Sequence, residues 1–148
     1  SKRNIIFFDF ECLQETDIHV PNFRVAHRAC PDCIQEPLYY HCQNCSVTPG
    51  GREKICRGPH TLSDMAEWLL SPIDDTWSQE EVKTYGHCHD DATVIAHNLS
   101  GYDGQFLLKH YVSHSVEPPQ VTMNGAKIIT MQVKKVRFID SMSFLSMP

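Results

Sequence analysis

The sequence predicts an α/β domain built on a mixed sheet with flanking helices, and three observations predict it. IIFFDFEC, from Ile5 to Cys12, is a continuous apolar run with two acids set into its end, the pattern of a buried strand. TVIAH, from Thr93 to His97, is β-branched and short enough for a central strand, and a turn followed by the helical phase of QFLLKHYV comes directly after it. Asn124-Gly125, between VTM and AKIITMQV, is a hairpin signal.

The other elements follow in order. A second strand is expected over about residues 20 to 28, where Phe23 and Val25 alternate with Asn22 and Arg24. From Cys30 to about Gly58 the composition shifts to Cys, Pro, Gly and polar residues, which build no apolar core and suggest an inserted knuckle. Thr61 is a good N-cap for a helix whose stripe is Leu62, Met65, Ala66, Leu69 and Leu70; Asp64 supports its first turn and Pro72 ends it. The stretch from Ile73 to Asp91 reads as polar and irregular. In the second helix Phe106, Leu107, Leu108 and Tyr111 are in phase, with Gly101 and Gly104 as turn residues before it. Lys134-Lys135 marks a further turn, before the strand VRFID.

With 148 residues, 41% hydrophobic and 21% charged, residues 1–148 fall in the range of one globular domain with one core. No run approaches the roughly 18 apolar residues of a membrane span, and SKRNIIFF is too short for a signal peptide, so a soluble intracellular protein with no membrane partner is expected. The formal charge of −5 argues against holding nucleic acid mainly by phosphate neutralisation; any nucleic acid must be gripped locally. Seven cysteines, an odd count with four of them in two CxxC pairs, favour metal binding and a reducing compartment over a disulfide framework.

Asp9 and Glu11 end the first strand one residue apart, which sets them on one face about 7 Å apart. Two such carboxylates repel unless a cation lies between them, although an acidic pair ending a strand is also common in turns. HNLSGYDGQFLL then holds His97, Asn98 and Asp103. If the Thr93 to His97 strand lies parallel to the first, Asp103 faces Asp9 and Glu11, since catalytic groups converge at the carboxyl ends of parallel strands. The bland alternative for Asp103 is a helix N-cap.

DFE, then HNLSGYDGQFLL, NGAKIITMQV and RFIDSMSFL closely resemble, in that order, the exonuclease region of the protein-primed family B DNA polymerases of viruses, linear plasmids and Polinton-type transposons. DFE is weak alone and HNLSGYDG strong; together they span nearly the whole chain. The resemblance implies a ribonuclease-H-like fold and two-metal-ion hydrolysis of the 3′-terminal phosphodiester of single-stranded DNA, with Mg²⁺ or Mn²⁺ as cofactor. It implies that Asp9, Glu11 and Asp103 are catalytic metal ligands, and that His97, Asn98, Tyr102 and Ser141 contact the DNA 3′ end. An aromatic ring and an amide grip a base without positive surface. Asp140, at a strand end, is as readily a turn or support residue and is not counted as a ligand. Implied partners are a polymerase domain downstream in the same polypeptide and a terminal protein primer. The family carries a fourth carboxylate in a YxxxD motif beyond RFIDS, and no YxxxD occurs in these residues. A piece with three of four ligands is expected to be weak or inactive alone.

CPDC (Cys30, Cys33) and CQNC (Cys42, Cys45) are separated by eight residues. Paired CxxC knuckles signal a tetrahedral, closed and hence structural Zn²⁺ site. Cys56 with His60, and His87, Cys88 and His89, leave a second zinc open, while lone Cys and His in loops are more often structural. Cys12 reads as buried. Beside the exonuclease stands another class, an inactive zinc-containing module that binds nucleic acid or protein. The three acids discriminate, because a pure binding module has no use for an acidic cluster near phosphates. A ribonuclease-H-like nuclease unrelated to replication is disfavoured by RFIDS and NGAKIITM.

Overall fold

Side chains alternate across an extended strand, and in this chain one set of alternating positions is apolar in nearly every strand. The structure, a computed structural model, describes residues 4–13, 20–29, 53–73, 75–97, 99 and 101–141. Its strands are β1 (Ile5–Leu13), β2 (Val20–Ala29), β3 (Glu53–Arg57), β4 (Thr93–Ala96), β5 (Gln120–Asn124), β6 (Lys127–Val133) and β7 (Val136–Asp140). Its helices are α1 (Thr61–Leu70), α2 (Gln79–Tyr85) and α3 (Tyr102–His114). The seven strands form one mixed sheet in the order β3-β2-β1-β4-β7-β6-β5. β1, β4 and β7 run parallel at its centre, and the flanking pairs are antiparallel.

The helices α1 and α3 cover one face. Ile6 and Phe8 of β1, Ala26 of β2, Val94 and Ala96 of β4, and Phe138 of β7 are buried with Met65 and Leu69 of α1 and Leu107 and Tyr111 of α3 in a single cluster. α1 packs on β2, β3 and α3. The buried Tyr111 hydroxyl donates to the Ala66 carbonyl at 2.7 Å, which fixes α3 against α1, and burial pushes the phenol well above its usual range. The opposite face is less covered: Phe7 is 49% exposed and Ile55 51% exposed. β1 is therefore half-exposed, not buried on both sides as its unbroken apolar run predicts. That run records strand formation and central position, whereas the covering of each face depends on where the helices pack.

Four local expectations are corrected. Thr61 is the first residue of α1 and not its cap; His60 is the N-cap, without a side-chain bond, and the buried Thr61 hydroxyl donates instead to the Gly58 carbonyl. The stretch from 73 to 91 is not wholly irregular, because it contains α2. Ser78 there accepts from the Glu81 amide while the Glu81 carboxylate accepts from the Ser78 amide, a reciprocal capping box. Residues 53–57 are β3 of the main sheet, with Cys56 in the core, so the cysteine-rich insert expected to reach Gly58 ends earlier. Gly104 is not in a turn but inside α3, where a Cβ would lie 1.8 Å from the Leu99 carbonyl oxygen. The two β-turn signals hold. Asn124 pairs with Lys127 around Gly125, which has φ 63°, and Val133 pairs with Val136 around Lys134, which has φ 50°.

Candidate functional site

Parallel pairing decides what meets at the site. Phe8 of β1 is registered with Ala96 of β4, and Ala96 with Asp140 of β7. The residues that follow these are Asp9, His97 and Ser141: His97 and Ser141 lie just past the carboxyl ends of β4 and β7, whereas Asp9 is mid-strand, because β1 runs on to Leu13 and the two acids expected to end the first strand lie within it, paired with β2. The Ser141 hydroxyl donates a long hydrogen bond, 3.4 Å, to the His97 carbonyl and ties two of those ends together. Asp9 and His97 are exposed, and Ser141 is half-buried.

A cleft of about 480 Å³ opens there on the face that no helix covers among the described residues, lined by Phe7, Phe8, Asp9, His27, Ile95, His97 and Ser141. Register explains its floor. Phe7 is paired with His27 of β2 on one side and with Ile95 of β4 on the other, and Ile95 with Ile139 of β7, so one row crosses four strands. Asp9 lies two residues further along β1, about 7 Å away. Of the residues singled out in the sequence, Asp9, His97 and Ser141 are thus brought together.

Glu11 and Asp103 are placed by their backbone. Glu11 is opposite Phe23 on β1, just before an irregularity in the β1–β2 ladder. Asp103 is the second residue of α3, the helix that follows β4 at this same edge, and Tyr102 is its first. The N-cap is Gly101, so the alternative of Asp103 as N-cap is set aside. Asn98, Cys30, Cys33, Cys42 and Cys45 lie outside the described residues. Asp140 is 1% exposed, on the helix-covered face, and is engaged by a neighbour, as befits a support residue.

The His87, Cys88 and His89 run divides among separate surroundings. His87 is exposed, with its Nδ1 3.2 Å from an Asp90 carboxylate oxygen. His89 is buried: its Nδ1–H donates to the Trp68 carbonyl at 2.8 Å, and its ring meets the Trp68 ring edge-on. Burial, with Arg28 adding to it, pushes His89 down to about 4, so it is a neutral core imidazole at pH 7. Burial also raises the Cys88 thiol, which disfavours the thiolate a metal needs. Among the described residues, no three His, Cys, Asp or Glu side chains gather to hold a metal ion.

Sequence reading missed Phe7 and His27. His27 belongs to the same alternating set as Phe23 and Val25, but its meeting with Phe7 depends on strand register. The molecule is an α/β domain with an acid-and-imidazole cleft where β4 and β7 end beside the middle of β1. Compared with protein-family models, with curated proteins and with solved structures, the chain matches none. Among the described residues no helix is long and apolar enough to cross a membrane.

Proposed function

We propose that this chain is part of the 3′→5′ proofreading exonuclease domain of a family B DNA polymerase, with a ribonuclease-H-like fold and a zinc-binding insert between its first two motifs. The observation that carries this function is the parallel β1–β4 pairing, which sets Asp9 of DFE beside His97 of HNLSGYDG. Motifs far apart in sequence have reason to share an edge if they act on one substrate. The antiparallel succession β1, β2, β3, with β4 and β7 parallel to β1, supports the fold assignment.

The donor chemistry fits the implied cations. Asp9 is an exposed carboxylate on the cleft wall, and carboxylate oxygens are the ligands Mg²⁺ and Mn²⁺ take. Asp9, Glu11 and Asp103 would hold them, and the bound cations supply water activation and stabilise the leaving 3′ oxygen. The rest belongs to the chain. His97, which lines the same cleft, offers its imidazole to the 3′ end; the resemblance assigns Asn98 and Tyr102 to the same DNA strand. Ser141 donates to the His97 carbonyl, which leaves its oxygen free to accept. Tyr102 supplies a stacking face, a grip that suits a chain of net charge −5.

With Mg²⁺ or Mn²⁺ and a single-stranded oligonucleotide, the protein should release nucleoside monophosphates stepwise from the 3′ end. Asp9→Ala should slow this by about a hundredfold or more, the scale of losing a metal-bound transition state. Equal degradation by that variant would remove Asp9 from the chemistry. For the insert, metal analysis should find about one zinc per chain, lost when Cys30 and Cys33 are both replaced by Ser.

A further inference from the structure

Phe7 is the third residue of β1, a strand with neighbours on both sides, yet it is 49% exposed. Its cross-strand partner His27 and its parallel partner Ile95 line the same cleft as Asp9. An aromatic face beside an aliphatic side chain, with an imidazole at the rim, is the surface a nucleobase takes: the rings stack, and the imidazole exchanges a hydrogen bond with a base edge or a sugar hydroxyl. The cleft, about 480 Å³, lies within the roughly 300–1,000 Å³ usual for small-molecule sites.

We infer that Phe7 and His27 form a base-binding subsite that seats the nucleobase of the nucleotide cut at Asp9. The inference rests on the nuclease reading for its substrate class. Spacing sets the order of parts: the base lies over Phe7 and Ile95, and the phosphate lies toward Asp9, about 7 Å further along β1. Stacking serves every base alike, so the subsite grips without reading sequence.

Deoxyadenosine, which has no phosphate and needs no metal, probes the subsite by itself. Without added Mg²⁺ or Mn²⁺, an NMR titration of the full chain should shift the ring resonances of Phe7 and His27. Phe7→Leu should weaken binding about tenfold, the scale of one lost stacking contact. Phe7→Tyr should keep the affinity, and His27→Gln should lower it several-fold. If Phe7→Leu fails to fold, the Tyr and Gln variants still decide. Binding that is unchanged in His27→Gln, or ring resonances of Phe7 and His27 that stay still, overturns the subsite. Asp9→Ala should bind deoxyadenosine as the native chain does. Loss of the nuclease reading therefore shows in cleavage, and loss of the subsite shows in nucleoside binding.

Discussion

His89 and Gly104 illustrate how much a single position carries here. His89 is held neutral in the core, with its folded value near 4 against an ordinary 6.5. The unfolded chain therefore binds the proton more readily, and stability is fully present above about pH 6.5 and lost as pH falls toward 4. A gap of that size corresponds to about 3 kcal/mol. Urea denaturation at pH 7 and pH 4.5 should show the loss, and His89→Leu should flatten the profile while costing about 1 kcal/mol at pH 7 through the lost bond to the Trp68 carbonyl. Gly104→Ala would improve an ordinary helix by about 1 kcal/mol. In this chain it should destabilise by about 2 kcal/mol, because the new Cβ meets the Leu99 carbonyl 1.8 Å away and the Ile128 side chain 3.3 Å away. Thermal melting reads the sign directly. The second glycine of HNLSGYDG is thus required by packing, separately from any role of its neighbours in binding.

At the scale of elements, α2 and the hairpins were unequally legible. The Asn124-Gly125 hairpin declares itself because a tight turn needs a positive φ, which Gly125 adopts without strain. α2 buries none of its residues, so it has no apolar stripe to show. Its signal is the Ser78 and Glu81 pair, a capping box at the correct spacing. Ser78→Ala should cost about 1 kcal/mol, felt within the helix, and hydrogen exchange of amides 79–85 should quicken while β1 and β4 stay protected. α1 and α3 were readable from their apolar stripes, since they face the core. The start of α1 was misplaced by one residue because the Thr61 hydroxyl is used for the Gly58 carbonyl rather than for capping.

For the whole molecule, net charge and topology set how nucleic acid is held. A chain of charge −5 has no surplus of cations to displace counterions. If stacking and hydrogen bonding dominate, affinity for single-stranded DNA should fall only gently with salt, with a log–log slope of about −1, as for one or two neutralised phosphates. Fluorescence anisotropy across a salt series measures it, and a slope much steeper than −3 would mean a phosphate-tracking groove instead. The helices α1 and α3 cover one face of the sheet, and the cleft opens on the other.

By itself the sequence determined the α/β class, the positions of most strands and the hairpins, and it singled out Asp9, the one of its three acids that lines the cleft among the described side chains, because propensity, periodicity and turn chemistry are local. Tertiary structure decided the rest. Which strand lies beside β1, and in which direction, depends on contacts between Phe8 and Ala96, nearly ninety residues apart, and no local pattern encodes that register. Tertiary structure likewise set His27 beside Phe7 through the antiparallel β1–β2 pairing and buried His89 against Trp68. It also left Phe7 half-exposed, since an apolar run states that a strand is sticky on both faces and not which face the helices will cover.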